Sequence, residues 1–252
     1  MLAYVGGVWL MFADALYYAF IGPYRGRRIR HEAVFIQMVR VGVRSIPITS
    51  LVLFFVGMII AIQMAYVLRL FGMKEYVAAV VGVSIIRELG PLLTAVVLTG
   101  YAGAAIAAEL GTMKVSEEIL AYETAALSPV RFLVVPRLLG MMVMTPCLTV
   151  LADVVGIGGG FVVATKLLGI SPEIFIAKTL EYIVYKDVYT GLVKAEVFAI
   201  IIAMVACFEG FRVEGGAEGV GKATTASVVL SIVLVIVADL FFTVLFYFVW
   251  QE

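Results

Sequence analysis

The sequence predicts an all-α integral membrane protein with five transmembrane helices preceded by interfacial N-terminal helices. Two observations support this fold class. Hydrophobic residues make up 63% of the 252 residues and charged residues only 14%, which is more apolar than a water-soluble domain requires. The chain also contains five long stretches with few or no charges. At a rise of 1.5 Å per helical residue, each can cross a hydrocarbon layer about 30 Å thick.

The N-terminal segment, residues 1–44, is predicted to form interfacial helices ahead of a five-span domain, residues 45–252. Residues 1–20 are apolar except for Asp14 and could also form a sixth span or a signal peptide, although they lack a basic start. Residues 26–45 alternate arginines with apolar residues, a pattern typical of a helix lying on a membrane surface. The arginines are Arg27, Arg28, Arg30, Arg40 and Arg44.

The first two predicted spans differ in how their charges are placed. Residues 45–68 carry no charge and can cross once. Residues 77–108 are interrupted only by Arg87 and Glu88, and the stretch is too long for one perpendicular crossing. A kink or break is therefore expected at Gly90-Pro91, since proline disturbs helical hydrogen bonding.

Each of the last three predicted spans carries at least one charge. These are Asp153 in residues 138–165, Lys194 and Glu196 in residues 188–208, and Asp239 in residues 223–250.

Charged groups inside a membrane are costly and suggest function by default. Counting along the helices places Arg87, Asp153 and Asp239 at compatible depths in the outer half of the bilayer. Two interpretations remain open. Arg87 could form a structural ion pair with one of the aspartates, or the three residues could line a polar path for a lipid headgroup or a proton.

The arginines also predict an orientation. Six basic residues lie from Arg25 to Arg44 against a single acid, Glu32, which indicates the cytoplasmic side. Alternation from there places residues 109–137 in the cytoplasm and residues 166–187 outside. The segment from residue 109 to residue 123 is either a solvated loop or an amphipathic helix. Its charged residues are Glu109, Lys114, Glu117, Glu118 and Glu123.

Residues 216–224 nearly match a phosphate-binding loop, but Ala223 stands after Lys222 where that loop requires Ser or Thr. We expect a glycine-rich turn there, with Ala223, Thr224 and Thr225 opening the last helix. Neither Cys147 nor Cys207 belongs to a metal-ligand pattern. The sequence therefore predicts no catalytic residue, no metal site and no cofactor in this chain.

Five motifs in fixed order resemble one family over residues from about 40 to 250. They are RELGPLLTAVVLTG, AAELGTMKVSEEI, SPVRFLVVPRLL, LADVVGIGGG and GAEGVGKATTASVV. Together they closely resemble the MlaE/YrbE-type permeases of bacterial lipid-transport ABC systems. Tyr101 stands where that family usually has Arg, and Leu120 where Asp is common, so details of loop electrostatics differ.

The resemblance implies a homodimeric permease in the bacterial inner membrane that moves phospholipids between the inner and outer membranes. It further implies a cytoplasmic ABC ATPase docked on a coupling helix at about residues 109–123, and a periplasmic MCE-domain protein outside. ATP hydrolysis would then take place in the partner ATPase and not in this chain.

The resemblance also implies where lipid binds. Arg87 and Glu88 would lie at an outward lipid cavity between two protomers, with Gln63, Tyr66 and Phe71 helping to line it. Arg87 would hold the phosphate, while Glu88 would orient the arginine or a neighbouring helix. Two alternatives are a proton-coupled secondary transporter that uses Glu88, Asp153 and Asp239, and a membrane scaffold that transports nothing.

Overall fold

The computed structural model describes residues 2–22 and 30–249, and within them it contains helices and no strand. The α-helices are α1 (Leu2–Leu16), α2 (His31–Val41), α3 (Ile46–Leu70), α4 (Val77–Ser84), α5 (Gly90–Leu98), α6 (Ala104–Val115), α7 (Glu118–Thr124), α8 (Val135–Lys166), α9 (Pro172–Tyr182), α10 (Tyr185–Phe211) and α11 (Gly216–Val249). Short π turns and 3-10 turns join several of them into longer continuous helices.

Five continuous helices among the described residues are long and apolar enough to cross a membrane. They are His31–Leu70, Lys74–Val115, Val130–Lys166, Tyr185–Phe211 and Gly216–Phe248. They coincide with the five predicted spans, so the predicted fold class is confirmed. The N-terminal α1 is not among them. Placement of residues 1–44 at a membrane interface stays a prediction, and Arg27 and Arg28 lie outside the described residues.

The second long helix continues through Gly90-Pro91, and the first of its two π turns lies immediately before the proline. A π turn at Ile85–Leu89 joins α4 to α5, and within it the N–H of Gly90 bonds to the carbonyl of Ile85. A proline has no N–H, and its ring clashes with the carbonyl four residues earlier. The wider π turn accommodates both effects without ending the helix. A second π turn, Val130–Val134, likewise ends two residues before a proline, Pro136.

The contacts group the described residues into two compact units. The first contains residues up to Ser45 together with Leu98–Thr145 and Val197–Ala238. The second contains Ile46–Val97, Pro146–Glu196 and the residues from Asp239 onward. The chain first leaves the first unit after Ser45, one residue beyond the predicted end of the N-terminal segment at residue 44.

In the first unit, α1 is anchored to the end of α10. The Tyr4 hydroxyl donates a hydrogen bond to Glu209 Oε1 at 2.6 Å, and the Tyr4 ring meets Phe208 edge-on at 4.9 Å. The Arg212 guanidinium lies over both rings. Burial, followed by the bond to Glu209, raises the pKa of Tyr4 above its usual range, so the hydroxyl remains a donor.

The second unit has its core between α3, α4, α8 and α9. Fully or nearly fully buried apolar side chains fill it: Ala61, Ala65, Val77, Ala78, Val81, Ile85, Val163, Ala164, Ile170 and Phe175. Ser171 begins α9 by accepting a hydrogen bond from the N–H of Ile174, with Pro172 in the first helical position. The helix α9 therefore starts at a sequence-defined cap and presents Phe175 to this core.

Glycines let α3 and α8 approach closely within the second unit. A Cβ at Gly57 would lie 1.8 Å from the carbonyl oxygen of Gly156, and one at Gly159 would lie 2.1 Å from that of Phe54. Small residues allow helix backbones in membranes to pack in this way. By contrast, Gly100, in the glycine- and alanine-rich second span, has no neighbour within 4 Å of such a Cβ.

The predicted turn at residues 216–224 is helical instead. Gly215 and Gly216 adopt positive φ angles of +86° and +71°, which glycine reaches without steric cost, and α11 begins there. The Thr224 hydroxyl donates to the carbonyl of Val220 within the helix and therefore caps nothing. The prediction that Ala223, Thr224 and Thr225 open the last helix is wrong, because the two glycines reverse the chain earlier.

Candidate functional site

Lys194 of α10 is the centre of a charged cluster in the second unit. Its ammonium donates hydrogen bonds to Glu88 Oε2 at 2.6 Å and to Thr243 Oγ1 at 2.8 Å. It also forms an ion pair with Asp239 Oδ1 at 3.0 Å. Thr243 in turn donates to Glu88 Oε1 at 2.9 Å. The cluster thus joins the π turn before α5 to α10 and α11.

The burial of Lys194 explains why it has several acceptors. Its side chain is only 1% exposed, whereas those of Glu88 and Asp239 are 34% and 15% exposed. A buried ammonium is strongly disfavoured unless oxygen atoms replace its hydration. Here two carboxylates and one hydroxyl supply them, so the cluster holds one positive and two negative groups.

Arg87, beside Glu88, has a different partner. Its Nε lies 3.6 Å from Asp187 Oδ1 in an ion pair, and Asp187 Oδ2 also accepts a hydrogen bond from the N–H of Val184. The predicted pairing of Arg87 with Asp153 or Asp239 is therefore wrong, because Asp239 pairs with Lys194 and Asp187 lies nearer to the arginine. The terminal amino groups of Arg87 make no hydrogen bond with the described residues, and the side chain is 47% exposed.

Arg87 and the Lys194 cluster border one open cavity of about 180 Å³. It is lined by Arg87, Glu88, Thr190, Lys194, Thr243, Phe246 and Tyr247. Charged groups of both signs lie beside the aromatic side chains of α11. This combination suits an amphiphile with a charged head, and the free donors of Arg87 suit an anionic oxygen.

Glu88 lines the cavity with Arg87, and its predicted role in orienting the arginine or a neighbouring helix stays a prediction. It contacts two neighbouring helices, through Lys194 and Thr243, and makes no hydrogen bond to Arg87. The π turn at Ile85–Leu89 carries both residues. Such turns inside α-helices frequently occur at functional sites.

Four other residues singled out in the sequence lie elsewhere. The Asp153 side chain is partly buried, its Oδ1 accepts no hydrogen bond from the described residues, and this oxygen lies 1.7 Å from the position that a Cβ on Gly90 would take. Gln63, Tyr66 and Phe71 are exposed, and none of them lines the Arg87 cavity. Their predicted role in lipid binding stays a prediction.

Sequence reasoning missed the central role of Lys194 and the contributions of Asp187 and Thr243. A signal for Lys194 was present in the sequence. It is the only basic residue within the last three predicted spans, which are residues 138–165, 188–208 and 223–250. Charges inside a membrane pair with one another, so a base among the acids there should have been matched to them. Asp187 and Thr243 lie near helix ends and carry no comparable signal.

The predicted coupling segment consists of two helices rather than one. The helix α6 ends at Val115, and α7 begins at Glu118. Between them Glu117 adopts a left-handed conformation, with φ of +61°. Four of the five predicted residues, Lys114, Glu117, Glu118 and Glu123, are exposed around this break.

Glu109 is set apart from those four residues. Its carboxylate forms ion pairs with Arg40 at 2.6 Å and with the buried Arg137 at 3.0 Å. In the first unit it therefore links α2 and α8 to α6. Within the described residues there is no group of three or more His, Cys, Asp or Glu side chains that could hold a metal ion.

The five long apolar helices of the described residues are those of a multi-pass membrane protein. The family described as Permease MlaE matches residues 34–245, and the chain belongs to this family. It is accordingly a transport subunit and not an enzyme.

Several relatives extend this comparison. The chain is 37% identical over 211 residues to a probable ABC transporter permease protein of Rickettsia typhi, covering 84% of this chain and 82% of the relative. It is 39% identical over 214 residues to a probable ABC transporter permease protein of Synechocystis, covering 85% and 81%. It is 32% identical over 212 residues to the intermembrane phospholipid transport system permease protein MlaE of Haemophilus influenzae, covering 84% and 81%. These comparisons give no support to a proton-coupled secondary transporter.

Proposed function

We propose that this chain is the permease subunit of an ABC transporter that moves phospholipids between the inner and outer membranes. The observation that carries the proposal is the exposed Arg87 with free terminal donors in a cavity that also offers aromatic side chains. A guanidinium can hold a phosphate by two parallel hydrogen bonds. The Haemophilus influenzae relative is named as a permease for intermembrane phospholipid transport, which supports the same cargo here.

The proposed complex contains two copies of this chain, a cytoplasmic ABC ATPase dimer and a periplasmic MCE-domain protein. It resides in the bacterial inner membrane with the N-terminus of this chain in the cytoplasm. The exposed acids around Glu117 support ATPase docking there, because charged surface groups favour a complementary partner. ATP hydrolysis belongs to the ATPase, since the segment around Lys222 is helical and lacks the phosphate-loop hydroxyl.

In the proposed mechanism the Lys194 cluster fixes the wall of the cavity and Arg87 holds the headgroup. The lysine ties α10 and α11 to the π turn that carries Arg87. Asp187 holds the guanidinium from its Nε side and so leaves the terminal amino groups directed to a ligand. Movements driven by the ATPase would change the access of this cavity to lipid.

The test compares Arg87→Ala with the double variant Arg87→Ala/Asp187→Asn. If Arg87 only neutralises Asp187, removing both charges restores function. If Arg87 binds phosphate, the double variant remains as defective as the single one. The measurements are phospholipid co-purified per chain and lipid transfer in proteoliposomes that contain the full complex.

Arg69→Ala is the matched control, because Arg69 is an exposed arginine at the end of α3 and lies outside the cavity. It should retain lipid at the level of the unmodified protein. Full recovery of lipid transfer by the double variant would refute the phosphate-binding role of Arg87.

A further inference from the structure

Two neighbouring cavities of the first unit share a pair of arginines. The first, of about 340 Å³, is lined by Arg40, Val41, Arg44, Tyr101, Ala102, Ala105, Ile106 and Glu109. The second, of about 680 Å³, is lined by His31, Glu32, Phe35, Ile36, Val39, Arg40 and Arg44. Arg40 and Arg44 are the residues common to both, so they stand where the two cavities meet. Neither cavity shares a residue with the Arg87 cavity.

The two arginines differ in their partners. Arg40 Nη1 is bonded to Glu109 Oε2, which also accepts the ion pair from Arg137. Arg44 is exposed and forms no ion pair or side-chain hydrogen bond with the described residues. With Arg40, Arg44 and Arg137 set against Glu32 and Glu109, the region carries one positive charge in excess. The guanidinium of Arg44 is therefore available to an anion.

An apolar wall lies directly beside this charge. Phe35, Ile36 and Val39 line the second cavity and are 63%, 54% and 49% exposed. All three belong to α2, Arg40 lies in the last turn of that helix, and Arg44 lies in the 3-10 turn Val43–Ser45 that follows. A soluble anion gains nothing from contact with apolar side chains, whereas a lipid can place its anionic headgroup at the arginine and its apolar tail against this wall.

We propose that this junction binds one phospholipid with a net negative headgroup, separate from the transported lipid. Its phosphate bonds to the Arg44 fork, beside the hydroxyl of Tyr101, and an acyl chain lies along Phe35, Ile36 and Val39. The single excess charge matches one phosphodiester, and a guanidinium suits phosphate geometry better than an ammonium does. Basic pockets beside membrane helices bind anionic headgroups by this chemistry. The bound lipid would fasten α2 to α6.

The experiment measures binding of phosphatidylglycerol to the purified full chain by native mass spectrometry. Phosphatidylcholine with the same acyl chains and inorganic phosphate are the two comparison probes. All variants also carry Arg87→Ala, so that lipid bound in the Arg87 cavity contributes equally to every measurement. Phosphatidylglycerol should bind about tenfold more tightly than phosphatidylcholine, because the choline cation cancels the headgroup charge that meets Arg44, and Arg44→Gln should remove this preference.

Three further variants make the result specific. Arg44→Lys keeps the charge and should retain part of the preference, which separates loss of binding from misfolding. Arg69→Gln removes an exposed arginine elsewhere and should change nothing. Phe35→Ser should weaken both lipids, because it removes the apolar wall and leaves Arg44 in place.

Three outcomes would overturn the proposal. Equal binding of the two lipids, or an unchanged preference in Arg44→Gln, would show that Arg44 does not select an anionic headgroup. Displacement of phosphatidylglycerol by excess inorganic phosphate, with no effect of Phe35→Ser, would show a free-anion site in place of a lipid site.

Discussion

Lys194 is a single residue on which three helical segments of the second unit depend. Replacing it by methionine keeps much of its volume but leaves Glu88 and Asp239 without their common cation. Removing one partner of a buried ion pair costs about 3–5 kcal/mol, because the remaining charge is left uncompensated. Lys194→Met should therefore lower the midpoint of thermal unfolding in detergent markedly.

The control for this prediction is a triple variant, Lys194→Met/Glu88→Gln/Asp239→Asn. It removes the carboxylates together with the lysine and should regain most of the lost stability. An unfolding midpoint of the single variant equal to that of the unmodified protein would show that the cluster contributes nothing to stability.

Gly90 is a second residue of interest, because the Asp153 carboxylate leaves no space for a side chain at this position. A Cβ at this position would lie 1.7 Å from Asp153 Oδ1, which is much shorter than a van der Waals contact between carbon and oxygen. Gly90→Ala should destabilise the protein by about 1–3 kcal/mol, as overpacking does. Gly90→Ala/Asp153→Ala should relieve the clash. Stability is measured by thermal unfolding monitored through tryptophan fluorescence.

Gly100→Ala is the matched control, since nothing lies within 4 Å of an added Cβ there. It should be neutral or slightly stabilising, because alanine favours a helix over glycine. If Gly90→Ala and Gly100→Ala had the same effect, contact with Asp153 would not be the cause.

At the scale of elements, the glycines of α3 and α8 set how closely these two helices pack. Gly159→Leu should separate them, since its side chain would start 2.1 Å from the carbonyl oxygen of Phe54. Its neighbour Gly158 has open space around the same position. Gly158→Leu should therefore be tolerated, and the yield of monodisperse protein after purification compares the two. Similar losses for both variants would argue against close packing at Gly159.

The break between α6 and α7 gives a prediction about the partner. Glu117→Lys/Glu118→Lys reverses two exposed charges where the ATPase is proposed to dock. The double variant should insert into the membrane normally and recover less ATPase in a pull-down, because the complementary surface is lost. Glu173→Lys/Glu181→Lys, on exposed positions of α9, is the control and should recover ATPase fully. Undiminished recovery with the first variant would remove this segment as the docking surface.

The elements also show what the sequence could predict. Charge-free length identified the five long helices, because bilayer thickness fixes how many apolar residues are needed. The length of apolar sequence could not predict that a π turn accommodates Pro91, because the choice between a π turn and a helix break depends on how the surrounding backbone packs. The prediction of Arg87 as a cavity residue rested on resemblance. Its partner Asp187 was missed because depth along a helix says nothing about which face a side chain occupies.

At the scale of the whole molecule, each span carries the chain across the membrane, so successive connections between spans face opposite sides. In a Cys147→Ser/Cys207→Ser background, Glu173→Cys should react with a membrane-impermeant maleimide in cells whose outer membrane has been permeabilised. Ala125→Cys should react only after lysis. Both positions are exposed, so side of the membrane decides the labelling. The reverse pattern would refute a cytoplasmic N-terminus.

The order in which the chain is synthesised gives the Lys194 cluster another consequence. When the fourth apolar helix leaves the ribosome, Glu88 already exists but Asp239 does not. Insertion of a lysine near the centre of a membrane helix costs about 2.5–3.5 kcal/mol. Entry of this helix into the bilayer is therefore favoured when the segment that carries Glu88 is already in the membrane nearby, because its carboxylate can pair with the lysine. The last helix then adds Asp239 as a second carboxylate, so the lysine has one carboxylate partner during synthesis and two in the finished protein.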